Sequence, residues 1–416
     1  YDIISPAERD AFHDRHPSNV IRLILGQPHP DDDALNNVHT RAARFFRKWM
    51  AEQVLLRDEL PGFYLTSVSF ELEGRSITRH GITGMVRLEP FDKGIVLPHE
   101  RTFSKVKSER LQLMKACHAN LCPIFGLYSD AGGTCAKLRA MAADTAPDIE
   151  LTDDGGLVHR LWRLTDAQVV DEVTQSLKAR KIYIADGHHR YETALNYREW
   201  IKAQDPGFTP DHPCNYVMMS LVSMEDPGLV ILPAHRLLLD VPARAVARFF
   251  ESSPQYFDCQ TLPVQEDMGA AADQVHALLG EKAAENAIGV YVKNRQEIHV
   301  MVPKPGIMKE HFGHEMHASL LDLDVSVLTH LMMMKLLGFD QDWLDDETKI
   351  SYRTRIKDAL AAVKENGADL CFLLNPTRIE QVKRVAEHGL IMPRKSTYFS
   401  PKEISGLVMN DLKGAK

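Results

Sequence analysis

Six residues within 186–192 set out the chemistry of this chain: Asp186, Gly187, His188, His189, Arg190 and Glu192. They offer a proton acceptor, two imidazoles, a guanidinium that forks onto oxyanions, and a glycine that lets backbone come close. A hydrophobic core requires none of them, whereas a bound phosphate uses nearly all. The flanking elements indicate how they are presented. Ile182 and Ile184 alternate as in a strand, and Tyr191, Ala194, Leu195 and Ile201 recur at helical spacing, so a strand hands over to a helix at Asp186-Gly187. Asp186 is expected to cap that helix. The first-turn amides of a helix lack acceptors within it and carry roughly half a positive charge, which puts His188, His189 and Arg190 where an anion binds well.

A second stretch, Pro98-His99-Glu100-Arg101-Thr102, follows a short apolar strand at 95–97 and leads into a helix bearing Lys105, Lys107, Glu109 and Arg110. Ligands in α/β proteins gather at strand ends, and Glu100 beside an imidazole suits removal of a proton from a hydroxyl. Lys105 and Lys107 read more simply as a solvated helix face. A third stretch near the C-terminus sets Lys395, Ser396, Thr397 and Lys402 about two prolines. Its ammonium groups can neutralise oxyanions and its hydroxyls can donate to them. His235 and Arg236, at the end of an apolar strand, repeat the His-Arg pairing. His311, His314 and His317 stand three apart and are able to share a helix face, but Gly313 interrupts them and no nearby carboxylate beyond Glu315 has convincing ligand geometry, so no metal is assigned.

The run Asp186-Gly-His-His-Arg-Tyr-Glu-Thr-Ala-Leu195 resembles the signature of the DUF1015 proteins, a bacterial and archaeal family named only as a domain of unknown function. Three further stretches match that family: Tyr1-Asp-Ile-Ile-Ser-Pro6 with Asn19-Val-Ile-Arg-Leu23, then Leu97-Pro-His-Glu-Arg-Thr102, then Met392-Pro-Arg-Lys-Ser-Thr-Tyr-Phe-Ser-Pro-Lys402. The family also carries a Pro-x-His-Arg like that ending at Arg236. More remotely, Gly187-His-His-Arg190 is similar to the Gly-x-[His/Arg]-Arg motif of the ParB/sulfiredoxin superfamily, which binds nucleotide phosphates and includes an ADP-dependent free serine kinase. The resemblance implies a ParB/sulfiredoxin-like N-terminal core, makes Asn19 and Arg22 motif positions, and gives the 392–402 loop a place in the site. It also implies that a short strand-forming segment precedes Tyr1. In the related kinase an acidic residue from the region of Glu100 activates the serine hydroxyl.

Composition sets the outer limits. With 416 residues and a formal charge of −8, the chain has room for two domains and lacks the basic excess of an unassisted, nonspecific DNA binder. Its six cysteines form no C-x-x-C pair, which favours free thiols in a reducing compartment, the cytoplasm by default. No long uncharged apolar run suits a membrane span.

Element patterning predicts a mixed α/β (α+β) chain. A capped helix with proline at its first position starts at Ser5-Pro6, a short strand is expected over 19–25, and an amphipathic helix over 36–52 carries Val38, Ala42, Phe45, Phe46 and Trp49 on one face. Strands at 63–71 and 77–88 form a hairpin about Gly74, and strands at 215–223 and 229–233 flank a hairpin-like turn at 225–228. Alanine-rich helices alternate with strands beyond residue 240, which suggests a domain boundary near there; the resemblance implies that 1–240 is the nucleotide-binding domain and that 241–416 is a second α/β domain whose loop 392–402 returns to the site. The Met332-Met-Met334 run is expected in core.

Phosphoryl transfer needs charge neutralisation, in-line placement and a base. Glu100, Asp186, His188 and His189 are the candidate catalytic groups. Gly187, His189, Arg190, His99, Arg101, Thr102, Lys395, Ser396, Thr397 and Lys402 are candidates for holding nucleotide phosphates. Asn19, Arg22, Glu192, His235 and Arg236 fall to the substrate or to supporting contacts. With no G-x-x-x-x-G-K-[ST] loop and no protein-kinase set, a standard NTPase or kinase is disfavoured. His188 stands where sulfiredoxin has its reactive cysteine, which disfavours that activity too. Among the activities of the superfamily that the chain resembles, the one that fits the remaining groups best is a phosphotransferase using ADP or ATP, with or without Mg²⁺, on a small hydroxyl or phosphorylated metabolite. Serine and phosphoserine are the favoured partners, since DUF1015 genes often lie beside those of serine biosynthesis. A nucleotide-held switch of ParB type and a histidine-based metal hydrolase are the alternatives.

Overall fold

The computed structural model describes residues 4–102 and 104–413, without the side chains of 104–106. The motif residues 1–3 and the side chain of Lys105 therefore lie outside the described residues. The chain is mixed α/β and divides into two compact units, Tyr1–Leu229 with Pro401–Lys416, and Val230–Ser400. The expected split near residue 240 had left the terminal segment with the second domain.

The first unit begins with three helices, α1 (Pro6–Arg15), α2 (Ile21–Ile24) and α3 (Val38–Ala51). Ser5 and Glu8 form a reciprocal capping box on α1, and Asn37 with Thr40 does the same on α3. Ile21, Leu23, Ala42, Phe46 and Trp49 are buried together. Within the segment 19–25, Ile21–Ile24 is helical rather than extended; the Asn19 side chain accepts the Ile21 amide at 3.0 Å, although the N-cap residue Val20 makes no side-chain cap. A four-residue apolar run fits a buried helical turn as well as a strand.

There follow β1 (Phe63–Leu72), β2 (Arg75–Arg87), β3 (Val96–Leu97), α4 (Ser104–Cys117), β4 (Ala119–Asn120), β5 (Ile124–Tyr128), α5 (Thr134–Ala143), β6 (Ile149–Thr152), β7 (Val158–Leu164), α6 (Ala167–Leu177), β8 (Ile182–Asp186), α7 (His188–Lys202) and β9 (Tyr216–Ser223). Eight of these strands form one sheet in the order β3-β8-β5-β9-β2-β1-β7-β6. The β1–β2 hairpin forms as expected, its turn made by Glu73 and Gly74 at positive φ. Leu65 and Ile82 on one face pack with Leu138 of α5 and Val173 of α6. Elsewhere on the sheet, Ile124, Ile182 and Ile184 pack with Met114 of α4 and Tyr191, Ala194 and Tyr197 of α7.

The second unit runs β10 (Val230–Leu232), β11 (His235–Leu238), α8 (Ala243–Ser252), β12 (Phe257–Pro263), α9 (Met268–Glu281), β13 (Ile288–Val292), β14 (Glu297–Pro303), α10 (Ile307–Phe312), α11 (Ala318–Leu321) and α12 (Asp324–Ser326). A π-helix (Val327–Leu337) precedes α13 (Gln341–Asp345), β15 (Ile350–Arg353), α14 (Ile356–Lys364), β16 (Leu370–Leu373), α15 (Ile379–Glu387) and β17 (Tyr398–Ser400). Its main sheet has the order β12-β14-β13-β16-β11-β15 and is buried on both faces. Leu238, Val290 and Phe372 meet α8, the π-helix and α15, while Leu237, Tyr291 and Cys371 meet α9 and α14. Met332 and Met333 are core, as expected. The segments at 216–223 and 230–232 do not form a hairpin: β9 lies in the eight-stranded sheet, and β10 pairs with β17. All six cysteines are free. No helix among the described residues is long and apolar enough to cross a membrane.

Candidate functional site

The junction between β8 and α7 has the expected strand-turn-helix form, with a difference at the cap. Gly187, at φ 98°, is the N-cap residue, and no side chain caps the helix. Asp186 is instead the last residue of β8. Opposite it on β5 the register slips between Phe125 and Gly126, a bulge that redirects a strand-end side chain. The Asp186 carboxylate meets Arg190 at 2.5 Å and also binds the Lys402 ammonium group. Burial disfavours its charge, but Arg190 and Lys402 outweigh that cost and hold it well below the usual carboxylate range. A carboxylate so weakly basic is a poor proton acceptor, and Asp186 is better placed to organise cations than to act as base.

Arg190 folds back over Gly187, where a Cβ atom would lie 2.8 Å from its Nε. Its other donor reaches the Pro123 carbonyl. The first turn of α7 is anchored from below by Tyr191, fully buried, whose hydroxyl donates to the Glu89 carbonyl and accepts the Glu89 amide, both at 2.9 Å. The corner therefore brings Arg190 and Lys402 onto Asp186 beside a helix N-terminus, in a partly exposed place: Asp186, Arg190 and Lys402 are 22%, 18% and 22% exposed.

His99 and His188 lie beneath this corner. The His99 amide donates to His188 Nε2 at 3.2 Å, and the two rings pack edge to face at 4.8 Å. Accepting at Nε2 assigns the proton of a neutral His188 to Nδ1, the atom 3.8 Å from Glu100 Oε2. Burial keeps both rings neutral: it lowers His99 to about 4, and it pushes His188 well down, with His99 adding to the effect. With 0% exposure, His99 supports His188 from inside, whereas Glu100 keeps 29% of its side chain open to solvent. His189 is half-buried on the first turn and Arg101 is exposed. Glu192 accepts from Thr102 at 2.7 Å and from Lys107 at 2.5 Å, which fastens α7 to the start of α4.

Other predicted residues have local partners. Arg22 binds the His13 ring at 3.2 Å and the His13 carbonyl at 2.6 Å. His235 is 1% exposed, accepts the Leu374 amide at 3.1 Å, and is lowered to about 3 by burial and by Arg236. Arg236 donates to the carbonyls of Ala234, Arg394 and Lys395. Ser396 and Thr397 are buried, the Ser396 hydroxyl donating to the Pro393 carbonyl, while Lys395 is exposed at φ 54°. His235, Arg236, Lys395, Ser396 and Thr397 belong to the second unit, whereas Arg22 and Lys402 belong to the first.

The three spaced histidines do not share a helix face, because α10 ends at Phe312. His311 packs on Tyr256, His314 pairs with Glu315, and His317 caps α11. Among the described residues no three His, Cys, Asp or Glu side chains are gathered to hold a metal ion. A cavity of about 70 Å³ adjoins Arg190, lined by Ile24, Met114, Ile124 and Thr193, and one of about 30 Å³ adjoins Lys402. A roomier cavity of about 560 Å³ in the second unit is lined by none of the predicted residues.

Arg79 was missed from sequence. It is 2% exposed on β2 and binds the main chain and side chain that flank Lys402. An arginine at an inward strand position, aligned with Gly81 and Thr83, was the available signal.

Fold and site define a mixed α/β protein with a cationic strand-to-helix corner. The chain belongs to the family described as a protein of unknown function, DUF1015, whose model matches residues 1–326. No curated protein matches the sequence. Among solved structures it is similar to a variant of a free serine kinase in complex with ADP, with TM-score 0.39 and 11% identity over 80% of this chain and 93% of that one. A conserved hypothetical protein from Pyrococcus furiosus gives TM-score 0.37 and 12% identity, covering 80% of this chain and 96% of its own. SbnI with a C-terminal truncation, from Staphylococcus aureus, gives 0.37 and 11%, covering 80% and 90%.

Proposed function

We propose that the Asp186–Arg190–Lys402 corner binds the phosphates of ADP or ATP and that the protein is a nucleotide-dependent phosphotransferase acting on a small hydroxyl compound or its phosphate ester. The observation that carries this reading is that two cations, Arg190 and Lys402, converge on the Asp186 carboxylate beside the α7 N-terminus. A phosphate oxygen can exchange with that carboxylate for either cation.

In the forward direction the acceptor hydroxyl oxygen bonds to the terminal phosphorus, the bond from that phosphorus to the bridging oxygen breaks, and the nucleotide leaves one phosphate shorter. The hydroxyl proton passes to Glu100, which is partly exposed and supported by the neutral His188–His99 pair. Arg190, Lys402 and the α7 amides hold the phosphoryl oxygens. Positioning of this kind contributes roughly 7–11 kcal/mol, more than the 10²–10⁴ in rate that one base supplies. Serine as acceptor, or phosphoserine as donor in reverse, follows from the sequence resemblance.

The test is to incubate the purified protein with serine plus ADP or ATP, and with phosphoserine plus ADP, with and without Mg²⁺, and to follow phosphorus by NMR. Transfer in any combination is the expected result. Nucleotide binding without transfer would favour a switch of ParB type, and loss of activity on chelation with no need for nucleotide would favour a hydrolase.

A further inference from the structure

We infer that Arg79 is a positioning residue for the anion corner: it grips the chain on both sides of Lys402 and thereby holds that ammonium group at Asp186. The inference rests on the phosphate-binding reading for its consequence, though not for its geometry. A buried guanidinium must have its donors satisfied, and two partners of Arg79 come from the returning C-terminal segment. Nη1 donates to the Pro401 carbonyl and Nη2 to Glu403 Oε1, both at 2.6 Å, while the flat face of the group lies over the Phe125 ring at 4.6 Å. Pro401 and Glu403 are the immediate neighbours of Lys402, and Phe125 is the β5 partner of Asp186. One rigid fork on the central sheet thus fixes where the Lys402 side chain starts and lies against the strand row where it ends.

The fork shape matters. A lysine at position 79 would keep the charge but not the geometry that serves a carbonyl and a carboxylate together. The segment would stay attached without it, because Ser405 contacts Cys122, Asn410 and Asp411 pair with β4, and Asp411 binds Arg57. What changes is the local alignment of 401–403.

The experiment uses the full chain and reads Lys402 directly. Brief acetylation with an amine-reactive ester, followed by mass spectrometry, compares wild type with Arg79→Lys and with Glu403→Gln, and exposed Lys137 serves as the internal control. Lys402 labelling is expected to rise about tenfold in Arg79→Lys with Lys137 unchanged, the scale of one lost charge-assisted hydrogen bond. ADP affinity, measured by calorimetry, is expected to fall by about the same factor, and Lys402→Met should cost little more once Arg79→Lys is present. Unchanged Lys402 labelling in folded Arg79→Lys overturns the inference. Should that variant not fold, Glu403→Gln at the less buried partner gives the same two-way outcome. If wild type binds no ADP and Lys402 labelling still rises, the nucleotide reading fails and the role of Arg79 stands.

Discussion

Two arginines that follow a histidine in this sequence, Arg190 and Arg236, meet different partners. Arg190, in the first unit, opposes an ionised carboxylate at the mouth of a helix and keeps 18% of its side chain exposed. Arg236, in the second, is 4% exposed and donates to three main-chain carbonyls. A carbonyl bonded to a guanidinium inside a fold has no substitute partner, so that bond is structural. A carboxylate shared by two cations at a partly wet helix terminus is different, because a phosphate oxygen can take over one of the pairings without stranding a charge. Residue type is the same in both places, and the partners differ: Arg190 joins a carboxylate as well as the Pro123 carbonyl, and Arg236 joins the three carbonyls.

The largest expected effect lies beside the first arginine. Glu100→Gln should lower the phosphoryl-transfer rate by about 10²–10⁴ while leaving ADP affinity near wild type, and a rate within threefold or so of wild type would take Glu100 out of the base role. The arginines themselves should then part company. Arg190→Ala is expected to weaken ADP binding by roughly 10- to 100-fold in calorimetry, whereas Arg236→Ala should lower unfolding free energy by about 2–4 kcal/mol in urea titrations with ADP affinity retained. Equal effects of both on ADP binding would erase the distinction drawn here. Gly187→Ala strikes the corner sterically, since the new Cβ sits against the guanidinium at a backbone angle that L-residues resist. A loss of ADP affinity of about tenfold is expected, and unaltered binding would show that Arg190 does not need its folded-back pose.

Acid should reveal the smallest difference. His235 is neutral in the fold with its value lowered to about 3, while an unfolded histidine titrates near ~6.5. The unfolded chain therefore binds the extra proton between those values, so the stability His235 contributes is complete above about pH 6.5 and is lost as pH falls toward 3. His99 and His188 in the first unit act in the same sense. Asp186 works at lower pH: its stabilising charge is complete above the ordinary carboxylate range and disappears only as pH falls through its depressed value. Urea midpoints at pH 7 and pH 5 should show a smaller acid loss in His235→Gln than in wild type. An identical loss would mean the imidazole is already charged in the fold.

Much of this architecture could be read beforehand where local signals agreed. The β8-to-α7 handover, the α1 and α3 caps and the β1–β2 hairpin each combined periodicity with turn or capping residues. Failures came where the deciding contact was distant in sequence. Nothing near residues 225–228 tells that β10 will choose β17, and Asp186 was a reasonable cap until Lys402 took its carboxylate. Arg79 looked like one charge in an alternating strand, because both residues it binds lie more than three hundred positions away. At the three histidines near 314 the local signal was legible, since Gly313, which interrupts their spacing, is where the helix α10 ends.

That the last stretch of chain belongs to the first unit has a bearing on how the molecule is made. A ribosome delivers residues 1–229 early, yet Lys402 emerges only after the whole second unit has been synthesised. Since domains begin folding as they appear, the first unit must wait, partly assembled, for its own tail. A nascent or prematurely terminated product therefore lacks the Lys402 ammonium group at Asp186.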